Sequence, residues 1–181
     1  MKKLFTLLAL TISFSMNAQM SDNSSGTSAI GPNAVAMGYQ STASGIRSTA
    51  MGDGTTASGS ASTAMGNNTT ASGSASTAMG ILTTASGSIS TAMGEGTTAI
   101  GSRSTAMGYG TVASDYASTV IGQYNSSGSS ATSSSSFSTS APAFVIGNGT
   151  SSGSLSDAFK VMFNGDAYIS SSLYLGGTAV T

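Results

Sequence analysis

Residues 48–61 read Ser-Thr-Ala-Met-Gly-Asp-Gly-Thr-Thr-Ala-Ser-Gly-Ser-Ala, and this stretch is one copy of a pattern that runs from residue 29 to residue 122. A small residue recurs at every seventh position with a glycine two places later, and only Val120 and Asp115 depart from this rule. The residue between them is Met at every second copy from Met37 to Met107, then Ile121, and Ser at positions 44, 58, 72, 86 and 114, so the full repeat is fourteen residues long with two unequal halves. A fixed short period predicts a stacked, quasi-one-dimensional architecture.

A coiled coil and a disordered chain are the two alternatives to a β-solenoid. A coiled coil needs apolar residues three and four apart with charged flanks, whereas each heptad here carries a glycine that costs about 1 kcal/mol in a helix. Disorder is typical of Ser/Thr/Gly-rich sequence, but disorder requires no register, and no insertion or deletion interrupts residues 29–122. The pattern therefore favours strands.

Strand alternation assigns a side to each residue of the repeat. Ala50 points to one side while Thr49 and Met51 point to the other, and Ala57 likewise opposes Thr56 and Ser58. If the alanines face each other, each coil is strand, turn, strand, turn, with the glycines at the turns. Coils then stack as parallel strands about 4.8 Å apart. We expect an all-β, parallel β-roll with an interior of alanine.

The two outer faces of this roll differ in chemistry. One carries a continuous apolar stripe, which is too long for a soluble monomer to expose and which we interpret as an oligomer interface: Met37, Met51, Met65, Met79, Met93, Met107 and Ile121. Packing of the stripe against the rest of the chain is the alternative, but few apolar residues remain to cover it. The other face shows an exposed hydroxyl ladder: Thr42, Ser44, Thr56, Ser58, Thr70, Ser72, Thr84 and Ser86.

Composition excludes several classes of function. The chain has no His, Cys or Trp, so a Ser/His/Asp triad, a Cys nucleophile and a tetrahedral zinc site are unavailable to it. Charged residues make up 6% of the chain, too few for a nucleic-acid groove. Asp53 and Glu95 lie three coils apart and do not form a carboxylate pair. We expect no catalytic site, no cofactor, no metal and no nucleic-acid partner.

The ends of the chain differ from the repeat. Residues 1–18 combine Lys2 and Lys3 with an apolar run and small residues, which predicts a secretory signal peptide and hence an exported protein with no membrane span in the mature chain. Residues 19–28 form a lead-in. Residues 123–142 are a Ser/Gly-rich linker, and residues 143–181 are a short β-rich segment in which Asn164-Gly165 predicts a hairpin.

The repeated motif Ser-Thr-Ala-Met-Gly-x-x-Thr-Thr-Ala-Ser-Gly-Ser-x resembles the head repeat of trimeric autotransporter adhesins, a haemagglutinin-like left-handed parallel β-roll. The resemblance implies a homotrimer whose Met-bearing strands surround the three-fold axis while the Thr/Ser strands face solvent. It also implies a cell-surface adhesive head that binds host matrix or other surfaces. The segment 143–181 resembles the neck that precedes the self-cleaving chaperone domain of tail spikes.

The chain departs from that family in two ways. Thr and Met stand where family copies commonly carry Val and Ile, so no ligand preference is carried over. Residues 123–181 show neither a heptad stalk nor the alternating strands of a membrane barrel, so we expect a fragment of a longer protein or another route of attachment. An ice-binding protein that uses the Thr-x-Ser ladder is the alternative function, since the ladder repeats at about 7 Å by 4.8 Å.

Overall fold

A computed structural model describes residues 20–21, 26–171, 173–175 and 178–180. The predicted signal peptide, residues 1–18, lies outside the described residues. All regular elements of the described chain are strands, and they follow one another in this order: β1 (Met20–Ser21), β2 (Ser28–Ala29), β3 (Val35–Tyr39), β4 (Thr42–Ala43), β5 (Thr49–Asp53), β6 (Thr56–Ala57), β7 (Thr63–Asn67), β8 (Thr70–Ala71), β9 (Thr77–Ile81), β10 (Thr84–Ala85), β11 (Thr91–Glu95), β12 (Thr98–Ala99), β13 (Thr105–Tyr109), β14 (Val112–Ala113), β15 (Thr119–Gln123), β16 (Pro142–Asn148), β17 (Asp157–Met162), β18 (Ala167–Ile169), β19 (Leu173–Leu175) and β20 (Thr178–Val180).

The repeat folds as the predicted parallel β-solenoid of fourteen-residue coils. Each coil contributes one five-residue strand to an eleven-stranded sheet and one two-residue strand to a seven-stranded sheet. Residues fourteen apart are partners, as in Ala50↔Ala64 on the long strands and Ala57↔Ala71 on the short ones. The period read from the sequence is therefore the spatial repeat.

Alanines from both sheets fill the interior, as expected. The twelve alanines from Ala36 to Ala113 at the heptad positions, together with Ala34 and Val120, are fully buried. The interior also holds two columns of hydroxyl side chains, represented by Ser48 and Thr55, which are equally buried. Strand alternation points Ser48 and Ala50 inward together, so the sequence pattern contained this signal although the expectation named alanine alone.

The repeat glycines serve both backbone conformation and the stacking of coils. Gly52, on a long strand, has φ 130°, a left-handed conformation as expected for glycine, and a Cβ there would also overlap the carbonyl oxygen of Gly66. A Cβ on Gly59 would overlap the backbone carbonyl oxygen of Gly73 in the next coil, although the backbone of Gly59 needs no positive φ. The left-handed turn positions instead accept ordinary side chains, with φ of 58° at Arg47 and 54° at Leu82. The expectation that glycine supplies the turn conformation is thus incomplete, because close backbone contact between coils excludes a Cβ.

The eleven-stranded sheet continues beyond the last regular coil. Strand β16 pairs in parallel with β15 through Thr119↔Phe144 and Val120↔Val145, a separation of 25 residues instead of fourteen. Strands β17 and β18 then extend the sheet in antiparallel fashion, with the turn at Asn164 and Gly165 between them. The predicted hairpin is therefore present, and it is joined to the solenoid by main-chain hydrogen bonds.

Segment 124–141 fills the extra length between β15 and β16. Its Asn125 takes the buried place of the Thr column, and its side chain donates to the carbonyl of Val112 at 2.9 Å while accepting from the N–H of the same residue at 2.8 Å. Further along, the N–H groups of Ser102 and Tyr116 donate to the carbonyls of Ser134 and Ser133. The segment thus covers the exposed edge of the last short strand.

Candidate functional site

The apolar stripe formed by Met37 to Met107 and Ile121, called the methionine stripe below, lies on the outer side of the eleven-stranded sheet. The strand register pairs each member with the next, from Met37↔Met51 to Met107↔Ile121. Because the neighbouring alanine of each strand is fully buried, alternation turns the thioethers away from the interior of the roll. In the single chain, Met51 and its equivalents are half-buried, since the side chains above and below cover part of each one.

The stripe is longer than the sequence indicated. Ile121 pairs with Ile146, Ile146 with Phe159, and Phe159 with Ile169, so the apolar row crosses β16 and β17 and ends on β18. Directly opposed residues of paired strands share one face of a sheet. The sequence signal for this extension was obscured by the eleven additional residues between β15 and β16, which break the period of fourteen.

The residues of the hydroxyl ladder lie on and just after the strands of the seven-stranded sheet. Thr42, Thr56, Thr70 and Thr84 are in register on successive short strands, and each is half-buried. The serines that follow these strands are exposed at four successive coils: Ser44, Ser58, Ser72 and Ser86. The ladder is chemically uniform over these coils and changes at Ile100 and Val112, which interrupt it.

The two turn edges of the solenoid carry its variable side chains. On the edge after each long strand, one column contains Tyr39, Asp53, Asn67, Ile81, Glu95, Tyr109 and Gln123. The other edge holds Arg47 and Arg103, and the guanidinium of Arg103 lies 5.2 Å from the centre of the Tyr116 ring. Asp53 and Glu95 are separated by two intervening coils, so the carboxylates are not brought together, as expected.

Two searches of the described residues for other kinds of site found none. In the part of the chain that the structure describes, no three His, Cys, Asp or Glu side chains converge into a possible metal site. A search of the same residues for a long apolar helix of the kind that crosses a bilayer also finds none. What repeats along the molecule is one apolar stripe and one hydroxyl ladder.

Part of the coil stack matches a known protein-family model. The model of the YadA head domain repeat matches residues 29–55, 57–82 and 99–125. Residues 83–98, between the second and third matches, form the same coil, with Thr84 and Thr91 in register with Thr70 and Thr77. No curated protein matches the chain.

Proposed function

We propose that this chain is a surface-exposed adhesive head, because three stretches of its coils match the YadA head domain repeat and the repeated motif resembles the head repeats of trimeric autotransporter adhesins. In this proposal three copies pack their methionine stripes around a common axis, and the hydroxyl ladders face outward and bind host matrix or another surface. The predicted signal peptide, residues 1–18, directs export. The family is one of adhesins, so we propose no catalytic activity.

The observation that carries the assembly is the unbroken apolar row from Met37 to Ile169 on the outside of one sheet. Complete burial of a methionine side chain stabilises by about 1.5 to 3 kcal/mol relative to exposure. The alanine interior of each coil is too thin to bury a comparable apolar area. Burial of the methionines between subunits therefore stabilises a coil more than its own core does. A homotrimer, which the family implies, supplies that contact.

The hydroxyl ladder supports adhesion through repetition. Single Thr and Ser hydroxyls offer weak, uncharged hydrogen bonds that exchange with water at little net gain. A ladder repeated over four coils and in three subunits raises the avidity of such contacts without any new kind of contact. The proposed ligand is therefore an extended or repetitive surface.

Adhesion is tested on beads that carry the trimeric protein, over wells coated with extracellular-matrix extract. Substituting Gln at Ser58, Ser72 and Ser86 places bulk on the ladder, and bead retention is expected to fall at least tenfold. The matched control substitutes Gln at Ser60, Ser74 and Ser88, which are equally exposed but lie on a turn edge. Equal retention of the two variants, with unchanged far-UV signal, would reject the ladder as the adhesive face.

Ice binding is a second candidate because the ladder is regular. Thr42 through Thr84 are in strict register, and with the exposed serines they form a lattice of about 7 Å by 4.8 Å. Thermal hysteresis of the purified protein separates the two functions. The adhesive proposal predicts no gap between the melting and freezing temperatures, whereas an ice-binding face arrests crystal growth below the melting point.

A further inference from the structure

A groove of about 450 Å³ interrupts one turn edge near the end of the solenoid. Its lining comes from four successive coils and from the loop after β16: Leu82, Glu95, Tyr109, Val112, Tyr124 and Leu155, over the backbone of Gly96 and Gly110. At about 4.8 Å per coil, Leu82 and Tyr124 stand roughly 14 Å apart at its two ends. The groove is separate from the methionine stripe and from the four-coil ladder.

The groove is present where two successive coils have glycine, which lacks a side chain, at the same turn position. The left-handed turn column reads Gln40, Gly54, Asn68, Leu82, Gly96, Gly110 and Tyr124, and only at residues 96 and 110 do two glycines follow each other. A Cβ on Gly96 would meet nothing closer than the Gly110 backbone at 3.9 Å, an ordinary van der Waals contact, so no neighbouring atom crowds that position. A Cβ on Gly110 would lie 2.5 Å from Cε1 of Tyr124, which shows that the Tyr124 ring leans over that glycine.

The walls combine aromatic, apolar and acidic groups. The rings of Tyr109 and Tyr124 are 5.0 Å apart at 75°, an edge-to-face pair that forms a corner. A hydrogen bond with Tyr109, partial burial and the nearby charge of Glu95 hold the pKa of Tyr124 above its usual value, so its phenol stays neutral. Leu82, Val112 and Leu155 supply methyl groups, and the described lining includes no lysine or arginine to neutralise Glu95.

We propose that this groove binds a lysine side chain of a protein ligand. The four-carbon stem of lysine lies along Leu82 and Leu155, while its ammonium contacts the Glu95 carboxylate and a tyrosine ring face. A carboxylate and an aromatic face both attract a cation. The apolar walls favour lysine over a small inorganic cation, because only lysine has a hydrocarbon stem for them to bury. This inference rests on the adhesive role and adds a ligand chemistry to it.

The test uses a fluorescein-labelled peptide of alternating Lys and Gly, with fluorescence polarisation read on the trimeric protein at low salt. The wild-type chain is expected to bind it, and the same peptide with acetylated lysines is expected to bind at least tenfold more weakly. Glu95→Gln removes the carboxylate charge and is expected to weaken binding about tenfold. Gly96→Leu fills the groove and is expected to abolish binding; Leu82 in the same column has φ 54°, so that backbone position accepts leucine.

Asp53→Asn is the matched control, because Asp53 occupies the same turn-edge column as Glu95 but lies three coils from it, outside the groove. Unchanged binding in this variant shows that general attraction to an acidic protein is not responsible. Equal losses for Glu95→Gln and Asp53→Asn, or retained binding in Gly96→Leu, would overturn the proposal. The proposal would also be overturned if the wild-type protein bound phosphatidylcholine vesicles and did not bind the peptide. Failure of the wild-type protein to bind the peptide, with intact bead adhesion, would reject the groove alone. Peptide binding by a wild-type protein that shows no ladder-dependent bead adhesion would reject the ladder alone.

Discussion

Oδ1 of Asp115 accepts a hydrogen bond of 2.6 Å from the backbone N–H of Ser133, and the N–H of Thr132 donates to the same oxygen at 2.6 Å. Asp115 is fully buried at a position where the other coils have glycine. A side chain fits there because the chain leaves the regular coil after β15, so no further carbonyl approaches as Gly73 approaches Gly59. The departure from the sequence rule therefore marks the end of regular stacking.

Replacing Asp115 by Ala is expected to lower the free energy of unfolding by about 3 kcal/mol, because two backbone N–H groups lose their acceptor. The measurement is urea denaturation followed by far-UV circular dichroism. Asp53→Ala, at an exposed acid of a turn edge, serves as the control and is expected to change stability by less than about 0.5 kcal/mol. Similar urea midpoints for the two variants would show that the Asp115 carboxylate does not hold segment 124–141.

Gly59→Ala is expected to destabilise the solenoid by about 3 kcal/mol, since the added methyl overlaps the carbonyl oxygen of Gly73 and neighbouring coils must separate. Gly96→Ala is the comparison, because its methyl makes only ordinary van der Waals contact with the Gly110 backbone and the cost is that of the left-handed backbone conformation, about 1 kcal/mol. Thermal melting of both variants measures the difference. If Gly96→Ala were the more damaging, turn conformation and not coil contact would account for the glycines.

Thr83→Val is expected to raise stability by about 1 kcal/mol. Its Oγ1 is buried and has no hydrogen-bond partner among the described residues, so an apolar group of the same shape removes an uncompensated desolvation cost. Thr55→Val, in the same interior column, is expected to lower stability by about 1 kcal/mol, because the Thr55 hydroxyl donates to Oγ of Ser41 at 2.8 Å. Urea midpoints that shift in the same direction would contradict this account of the interior.

Substituting Asp for both Met65 and Met79 is expected to convert the trimer into monomer or unfolded chain, because charges would lie within the proposed apolar contact. Sedimentation equilibrium gives the mass, and far-UV circular dichroism reports folding. The control substitutes Asp for Thr70 and Thr84 on the opposite face, and a trimer is expected to remain. An unchanged mass and spectrum in the methionine variant would remove the basis for placing the stripe between subunits.

The sequence predicted the coil better than it predicted the end of the stack. Ala50 and Ala57 were assigned to the interior because alternation and a fixed register leave them nowhere else, and both are fully buried. Ile146, Phe159 and Ile169 were not recognised as members of the apolar stripe, because sequence distance ceases to report spatial distance once a segment is inserted. The glycine and hydroxyl columns were visible as periodic positions, but their roles depend on contacts between coils.

The groove between Leu82 and Tyr124 illustrates the same limit. The order of residues in the turn column can be read from the sequence, because its members are fourteen residues apart. That two adjacent glycines open a space, and that Leu155 from a distant loop closes one side of it, depends on the path of the chain after β15.

By itself the sequence determined the period, the parallel stacking and the inward and outward choice of each repeated residue, because a β-strand alternates sides and identical coils must pair in register. Only the tertiary structure decided where stacking ends, how the sheet continues through Ile146, and which side chains from distant segments meet at Asp115 and in the groove. These outcomes depend on how an aperiodic segment packs against the last coils, and no repeat encodes that packing.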